Sequence, residues 1–458
     1  MLIEIQTSNN ENILLSPIRK NSDEGSNNIF ELIDEQNKKW LEIKLENNSF
    51  YILNKDEEIT EDEDLLKIKL DKLVLEVIEA EQSGTENNET APNEEIQPFN
   101  PEDIKVHSKQ FSLRLISDMI DDKDIDLAPD FQRHFVWNNF QKSRLIESIL
   151  LRIPLPMFYF SEDEEGRITI VDGLQRLTTI KEFMENKFPL KNLEYLTETC
   201  EGRYYSDAGR KVGLDSKYSR WFNQTQFSVN VIDPSSPPKV KYDIFRRINT
   251  GGKPLNNQEI RNCLASTSLR DTLNAMVNLL EFKTATDYSI KETRMDDQEI
   301  ALRFIMFHRY IEKDGFINEY NGYMDTALDD LTDELSKLKA ENLERYIALF
   351  SNAMKNAEYL FGKKYAFRKI RPNDLQPYAS KQLINKALFV SWSVMLANYD
   401  HEMIKANNPE TALLIPLSET IQEDWELLSY LSYGTNGKNN LLYVFGAVEN
   451  LIQNILTV

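Results

Sequence analysis

The chain has 458 residues, enough for two or three domains with separate cores, and its 41% apolar and 28% charged residues are those of a soluble globular protein. Its formal charge of −22 argues against a general nucleic-acid binder, yet much of the acid sits in Asp56–Asp64 and Glu79–Glu95, which leaves room for a local basic cleft. Two distant cysteines, Cys200 and Cys263, exclude a disulfide framework and fit a reducing cytoplasm. Four histidines, none in a zinc-ligand or HNH-like spacing, supply little metal chemistry. No apolar run is long enough to span a membrane, and the start, Met1-Leu2-Ile3-Glu4-Ile5, alternates like a strand rather than a signal peptide.

Residues 1–80 read as a small β-rich domain with strands at Leu2–Gln6, Ile29–Ile33, Trp40–Leu45, Phe50–Leu53 and Leu66–Ile78, the last divisible into a pair. Residues 81–100 are polar, acidic and Pro-containing, the composition of a linker. A helix is predicted over Ser112–Ile120 and an amphipathic one over Phe140–Leu151, stopped by Pro154 and Pro156. Met157–Phe160 and Ile168–Val171 read as strands around an acidic turn, and a helix follows from Leu174 to Asn186. Residues 101–262 thus form a mixed domain. Residues 263–458 are mainly helical, with periodic stretches at Ile300–Tyr310, Thr326–Lys339, Leu343–Leu360, Lys381–Ala397 and Leu441–Ile455.

Three elements carry chemistry. In the first, a strand delivers Asp172-Gly173 and a helix opens with Leu174-Gln175-Arg176. A strand–turn–helix joint aims backbone N–H groups and the positive end of a helix dipole at one spot. Gly173 permits close approach of a ligand, Gln175 and Arg176 add donors, and Asp172 suits a metal ion, a water, or a ribose or base edge. The same residues would equally serve as a helix start capped by Asp172 with Arg176 on the surface. The second element, Asp130 to Trp137, sets Gln132 and Arg133 among aromatics, as base stacking with phosphate contact requires; a core anchor is the alternative. In the third, Arg246, Arg247 and Lys253 bracket Asn249-Thr250-Gly251-Gly252, a phosphate cradle or a simple helix-ending turn. It lacks the spacing of a Walker loop.

In this order the three elements resemble the N-terminal domain family of GmrSD-type restriction enzymes, long called domain of unknown function 262 and marked by a DGQQR motif. Here that motif reads Asp172-Gly173-Leu174-Gln175-Arg176, with Leu in the third place. Pro129, Gln132, Arg133 and Trp137 match the family's Pro-x-x-Gln-Arg-x-x-x-Trp, and Leu145–Leu150 and Ile153–Pro156 match its Leu-Ile-x-Ser-Ile-Leu and Ile-Pro-x-Pro stretches. Arg247–Gly252 matches its Arg-Ile-Asn-Thr-Gly-Gly. Weaker similarity extends the resemblance to roughly residues 108–455, while 1–100 lie outside it.

The resemblance implies an α+β, ParB/sulfiredoxin-like domain with a nucleotide pocket, flanked by the β-rich and helical regions. It implies an NTP-hydrolysing protein of an anti-phage or restriction system that acts on DNA. Asp172, Gln175 and Arg176 would be catalytic; Gln132, Arg133, Gly173, Arg247, Asn249, Thr250 and Gly251 would bind nucleotide phosphate. A divalent cation, magnesium by charge and size, would sit on Asp172. Many members carry an HNH nuclease half, which is expected to be absent here because only His401 follows His308. Nuclease activity would then lie with a partner subunit. Two rivals stand: a non-catalytic sensor of DNA or nucleotide that signals to a separate nuclease, and a DNA-nicking enzyme using the same pocket.

Overall fold

The computed structural model describes residues 2–9, 12–20, 28–34, 36, 38–46, 49–86, 89, 104–127, 137–163, 165–248, 255–377 and 379–457. The chain divides into a central unit, residues 96–265, and a terminal unit that combines residues 1–95 with 266–458.

The terminal unit begins with an antiparallel meander, β1 (Ile3–Gln6), β2 (Asn12–Arg19), β3 (Ile29–Ile33), β4 (Lys39–Glu46) and β5 (Ser49–Lys55), paired in chain order. Helix α1 (Glu63–Ser83) packs on it, burying Leu66, Leu70, Leu73 and Val77 against Ile5, Leu32 and Ile43. This corrects the strands expected over Leu66–Ile78. Leu66, Ile68 and Leu70 alternate like a strand, but burial follows the helical spacing and leaves Ile68 and Leu75 exposed. The Asp62 carboxylate caps α1, and Gly84 ends it at φ +82°, where a Cβ would lie 1.9 Å from the Ser289 carbonyl oxygen.

The described part of the expected linker is folded too. Residues 81–83 complete α1, the Glu86 N–H donates to the Ile384 carbonyl at 2.8 Å, and the Glu86 carboxylate accepts from Asn385 at 2.7 Å. Glu89 pairs with the buried Arg303. Acidic composition here meets buried cations, not water. Residues 87–88 and 90–100 lie outside the described residues.

The central unit holds a mixed sheet in the order β6 (Val106–Ser112), β10 (Gln226–Ile232), β8 (Phe158–Glu162), β9 (Ile168–Asp172), β7 (Ile125–Asp126). β6 and β10 are antiparallel, β10 and β8 parallel, β8 and β9 antiparallel, and β9 and β7 parallel. Its helices are α2 (Leu113–Asp121), α3 (Asn139–Leu150), α4 (Leu174–Met184), α5 (Thr197–Cys200), α6 (Ser216–Gln224), α7 (Pro238–Ile248) and α8 (Asn257–Leu264). Alternate strand residues Phe158, Phe160, Ile168, Ile170, Val229 and Val231 share one core with Ile146, Ile149, Leu150, Leu177 and Ile180 of α3 and α4. A capping box of Asn138 and Gln141 starts α3, and Pro154 forbids its continuation.

The chain then returns to the terminal unit through α9 (Thr267–Asn278), α10 (Leu280–Ala285), α11 (Asp296–Asp314), α12 (Met324–Ser336), α13 (Ala340–Phe361), α14 (Lys386–Leu396), α15 (His401–Asn407), α16 (Leu414–Glu423), α17 (Trp425–Ser432) and α18 (Lys438–Ile455). Phe282, Phe304, Phe350 and Phe389 cluster in its core, and α14 is buried on every side, as its continuous apolar run demands. Among the described residues no helix is long and apolar enough to cross a membrane. Between residues 96 and 265 basic and acidic residues are equal in number, so the charge of −22 belongs wholly to the terminal unit.

Candidate functional site

β9 ends on Asp172, opposite Tyr159 of β8, and the chain turns through Gly173 into α4. Gly173 sits at φ +102°, and a Cβ there would lie 2.3 Å from Cδ1 of Phe158. Both conformation and space demand glycine. Leu174, Leu177, Ile180 and Phe183 anchor the helix in the core, so its first turn is held rigidly at the end of the sheet. That turn has no side-chain cap, because Gly173 occupies the N-cap position. Asp172 is therefore not the cap that the sequence allowed.

Asp172 instead faces Arg176: Nη2 of Arg176 donates to Oδ2 of Asp172 at 2.7 Å. The same guanidinium donates to the carbonyls of Pro156, through Nη1, and Met157, at 3.3 Å through Nη2, and its Cζ stacks 4.1 Å from the centre of the Phe158 ring. The Arg176 side chain is only 11% exposed, against 36% for Asp172. Burial pushes the Arg176 pKa down, against the opposing pull of Asp172. Arg176 is thus not the surface decoration that the helix-start alternative expected: it clasps the Pro154–Met157 loop to the joint between β9 and α4. Of the motif the Asp172 carboxylate is the more exposed, while Gly173 and Leu174 at the uncapped helix start are buried.

Gln175 lies half-buried in the first turn of α4, beside Arg176. Arg247 is exposed in the last turn of α7, and α7 and α8 both pack against β9. Of the third element, the helix that carries Arg246 and Arg247 therefore packs on the strand that carries Asp172. Gln132 and Arg133, and likewise Asn249, Thr250 and Gly251, lie outside the described residues. Among the described residues no group of three or more His, Cys, Asp or Glu side chains converges to hold a metal ion. Asp172 is the single carboxylate of the motif.

Sequence reasoning missed the partners of Arg176, namely Phe158 and the carbonyls beyond Pro154. It also missed α8, where Gln258, Glu259, Arg261 and Asn262 are all buried in the helix that packs on β9. The capping box of Asn256 and Glu259 was a readable signal for where α8 starts. The inward direction of its polar side chains had no signal, since polar residues in a short helix ordinarily face water.

The central unit is thus a mixed α+β domain whose sheet delivers an acid–glycine joint to an uncapped, core-anchored helix. Residues 116–266, nearly all of that unit, match the family described as GmrSD restriction endonuclease, N-terminal domain. A search of curated proteins finds no match.

Proposed function

We propose that the central unit is the nucleotide-binding module of a restriction-type defence protein that acts on DNA, and that it hydrolyses a nucleoside triphosphate. The family match over residues 116–266 carries this reading. Its order of helix, Pro-x-Pro loop, strand, turn, strand and helix also supports a ParB/sulfiredoxin-like pocket. The equal numbers of basic and acidic residues in this unit remove the electrostatic objection that the whole-chain charge raised against DNA.

In this reading the N–H groups that open α4 receive the phosphates, at a turn whose tightness Gly173 permits. Gln175 contacts phosphate from the first turn, and Gln132, Arg133, Arg247, Asn249, Thr250 and Gly251 supply further phosphate contacts. Arg176 holds the loop and the Asp172 carboxylate in place. Asp172 fits a divalent cation of the magnesium type, which takes one or two carboxylates and fills its remaining positions with phosphate oxygens and water. Such a cation would neutralise triphosphate charge. Water would supply the oxygen, giving nucleoside diphosphate and inorganic phosphate. Two buried free cysteines suit a reducing, cytoplasmic setting.

The test is phosphate release from each NTP with magnesium, with and without DNA, by the parent and by Asp172→Asn. Release by the parent that falls at least about a hundredfold in the variant supports hydrolysis at Asp172. Binding without release favours the sensor, a reading that the inward engagement of Arg176 also favours. Failure to bind any NTP overturns the nucleotide reading. Nicking of plasmid DNA that is lost in the variant would replace it with the third reading.

A further inference from the structure

Two cations converge on one aromatic ring in the central unit. The Cζ of Arg152 lies 4.5 Å and the Nζ of Lys217 lies 4.6 Å from the centre of the Trp221 ring. Arg220, on the same helix α6, is exposed beside them. None of the three has an ion-pair partner among the described residues. Other cations of the unit do have one: Lys109, Lys142, Arg144, Arg167 and Lys181 each pair with a carboxylate. α6 contains no acidic residue, and Asp215 before it faces Arg203 at 3.8 Å.

The backbone is arranged to keep Arg152 there. It ends α3 at φ +59°, the left-handed position that glycine usually fills at a helix C-terminus. From it the side chain reaches across to α6, which packs on α3. Arg152 also stands four residues before Pro156, whose carbonyl accepts from Arg176, so their Cα atoms are within about 14 Å. Stacking fixes both cations in place while leaving their N–H groups to donate to an anionic partner.

We propose that Arg152 and Lys217, stacked on Trp221, together with Arg220, three residues after Lys217 on the same helix, grip the phosphate backbone of duplex DNA beside the Asp172–Arg176 joint. This rests on the reading that the protein acts on DNA. A guanidinium and an ammonium held on a ring suit phosphate oxygens spaced along a strand, with no base recognition required.

The experiment titrates full-length protein into a short fluorescein-labelled duplex of mixed sequence and reads anisotropy over a salt series. Arg152→Gln/Lys217→Gln should weaken binding about tenfold at low salt and reduce the slope of log affinity against log salt by about 2. Lys191→Gln/Arg210→Gln removes the same charge from exposed residues that do not stack on Trp221, and should stay within about twofold of the parent. Thermal melts of both variants should match the parent. Parent-like binding by the Arg152/Lys217 variant, or equal losses in both variants, overturns this surface while the DNA reading stands. A parent that fails to bind the duplex at low salt overturns both.

Discussion

Asp172 and Arg176 are joined at 2.7 Å across the turn that opens α4, while the Cζ of the same guanidinium lies 4.1 Å over the Phe158 ring and its nitrogens donate to the carbonyls of Pro156 and Met157. These contacts give the arginine of the motif a structural share. Arg176→Ala should lower stability by about 2–3 kcal/mol, from lost charge-assisted bonds and stacking at a mostly buried position. Arg176→Lys should recover under half of that, because an ammonium cannot serve carboxylate and carbonyls in one plane. Urea unfolding of the three proteins checks this. Unchanged midpoints in both variants would return Arg176 to the role of a free ligand.

Gly173 answers to the same Phe158 ring. Gly173→Ala places a Cβ 2.3 Å from it and forces alanine to φ +102°. A loss of at least about 2 kcal/mol is expected. Adding Phe158→Leu should recover the steric share and leave the backbone share, so the double variant should be less destabilised than the sum of the singles. Additive losses in a thermal-melt cycle would show that ring and glycine do not meet.

Glu147 of α3 is a buried carboxylate that accepts the backbone N–H groups of Glu194, Tyr195 and Leu196 at 2.7–3.1 Å. Burial raises its pKa, but those N–H groups, with Arg144 beside them, outweigh it and hold the carboxyl below its ordinary value. Unfolded Glu147 binds its proton more readily than folded Glu147 does. Its contribution is therefore complete above the usual glutamate range and lost as pH falls through the folded value. Glu147→Gln should cost about 1–3 kcal/mol at pH 7 and flatten the acid limb of the stability curve. Parallel acid limbs for parent and variant would contradict this.

The opposite sign holds at the start of α11. Burial, reinforced by Glu292 and Asp296, lifts Asp297 to about 7 despite the Gln298 N–H, and burial lifts Asp296 to about 6. Both are protonated when folded at pH values where the unfolded chain has already ionised them. Their effect on stability is therefore most favourable below about pH 4 and declines as pH rises through about 7. Asp297→Asn keeps the acceptor for Gln298 and cannot ionise. Its unfolding free energy should exceed the parent's by a margin that grows from about pH 4 to about pH 7 and then levels, reaching a few kcal/mol at most, as urea unfolding across that range would read. A constant margin would place the Asp297 titration elsewhere.

How much of this was written in the sequence follows from the range of each interaction. The strand Ile168–Val171, the turn at Gly173 and the helix from Leu174 are local and were readable, as were the α3 helix and its proline stop. Asp172 and Arg176 were readable as flanking one strand–turn–helix joint. That the guanidinium turns inward was not, because its other partners lie 19 and 20 residues upstream. The acidic stretch after α1 reads as solvated until Arg303, 214 residues away, comes to meet Glu89. Along α1 the apolar residues fit two periods, and only burial on the sheet chose the helical one.

In the proposed function Asp172 serves a metal-bound nucleotide at the uncapped start of α4. Calorimetric titration of NTP into the parent and Asp172→Asn, with magnesium and again in EDTA, tests it most directly. The account predicts at least about a tenfold loss of affinity in the variant with magnesium, near-equal binding in EDTA, and similar melting temperatures throughout. Equal affinities of parent and variant in magnesium would contradict it.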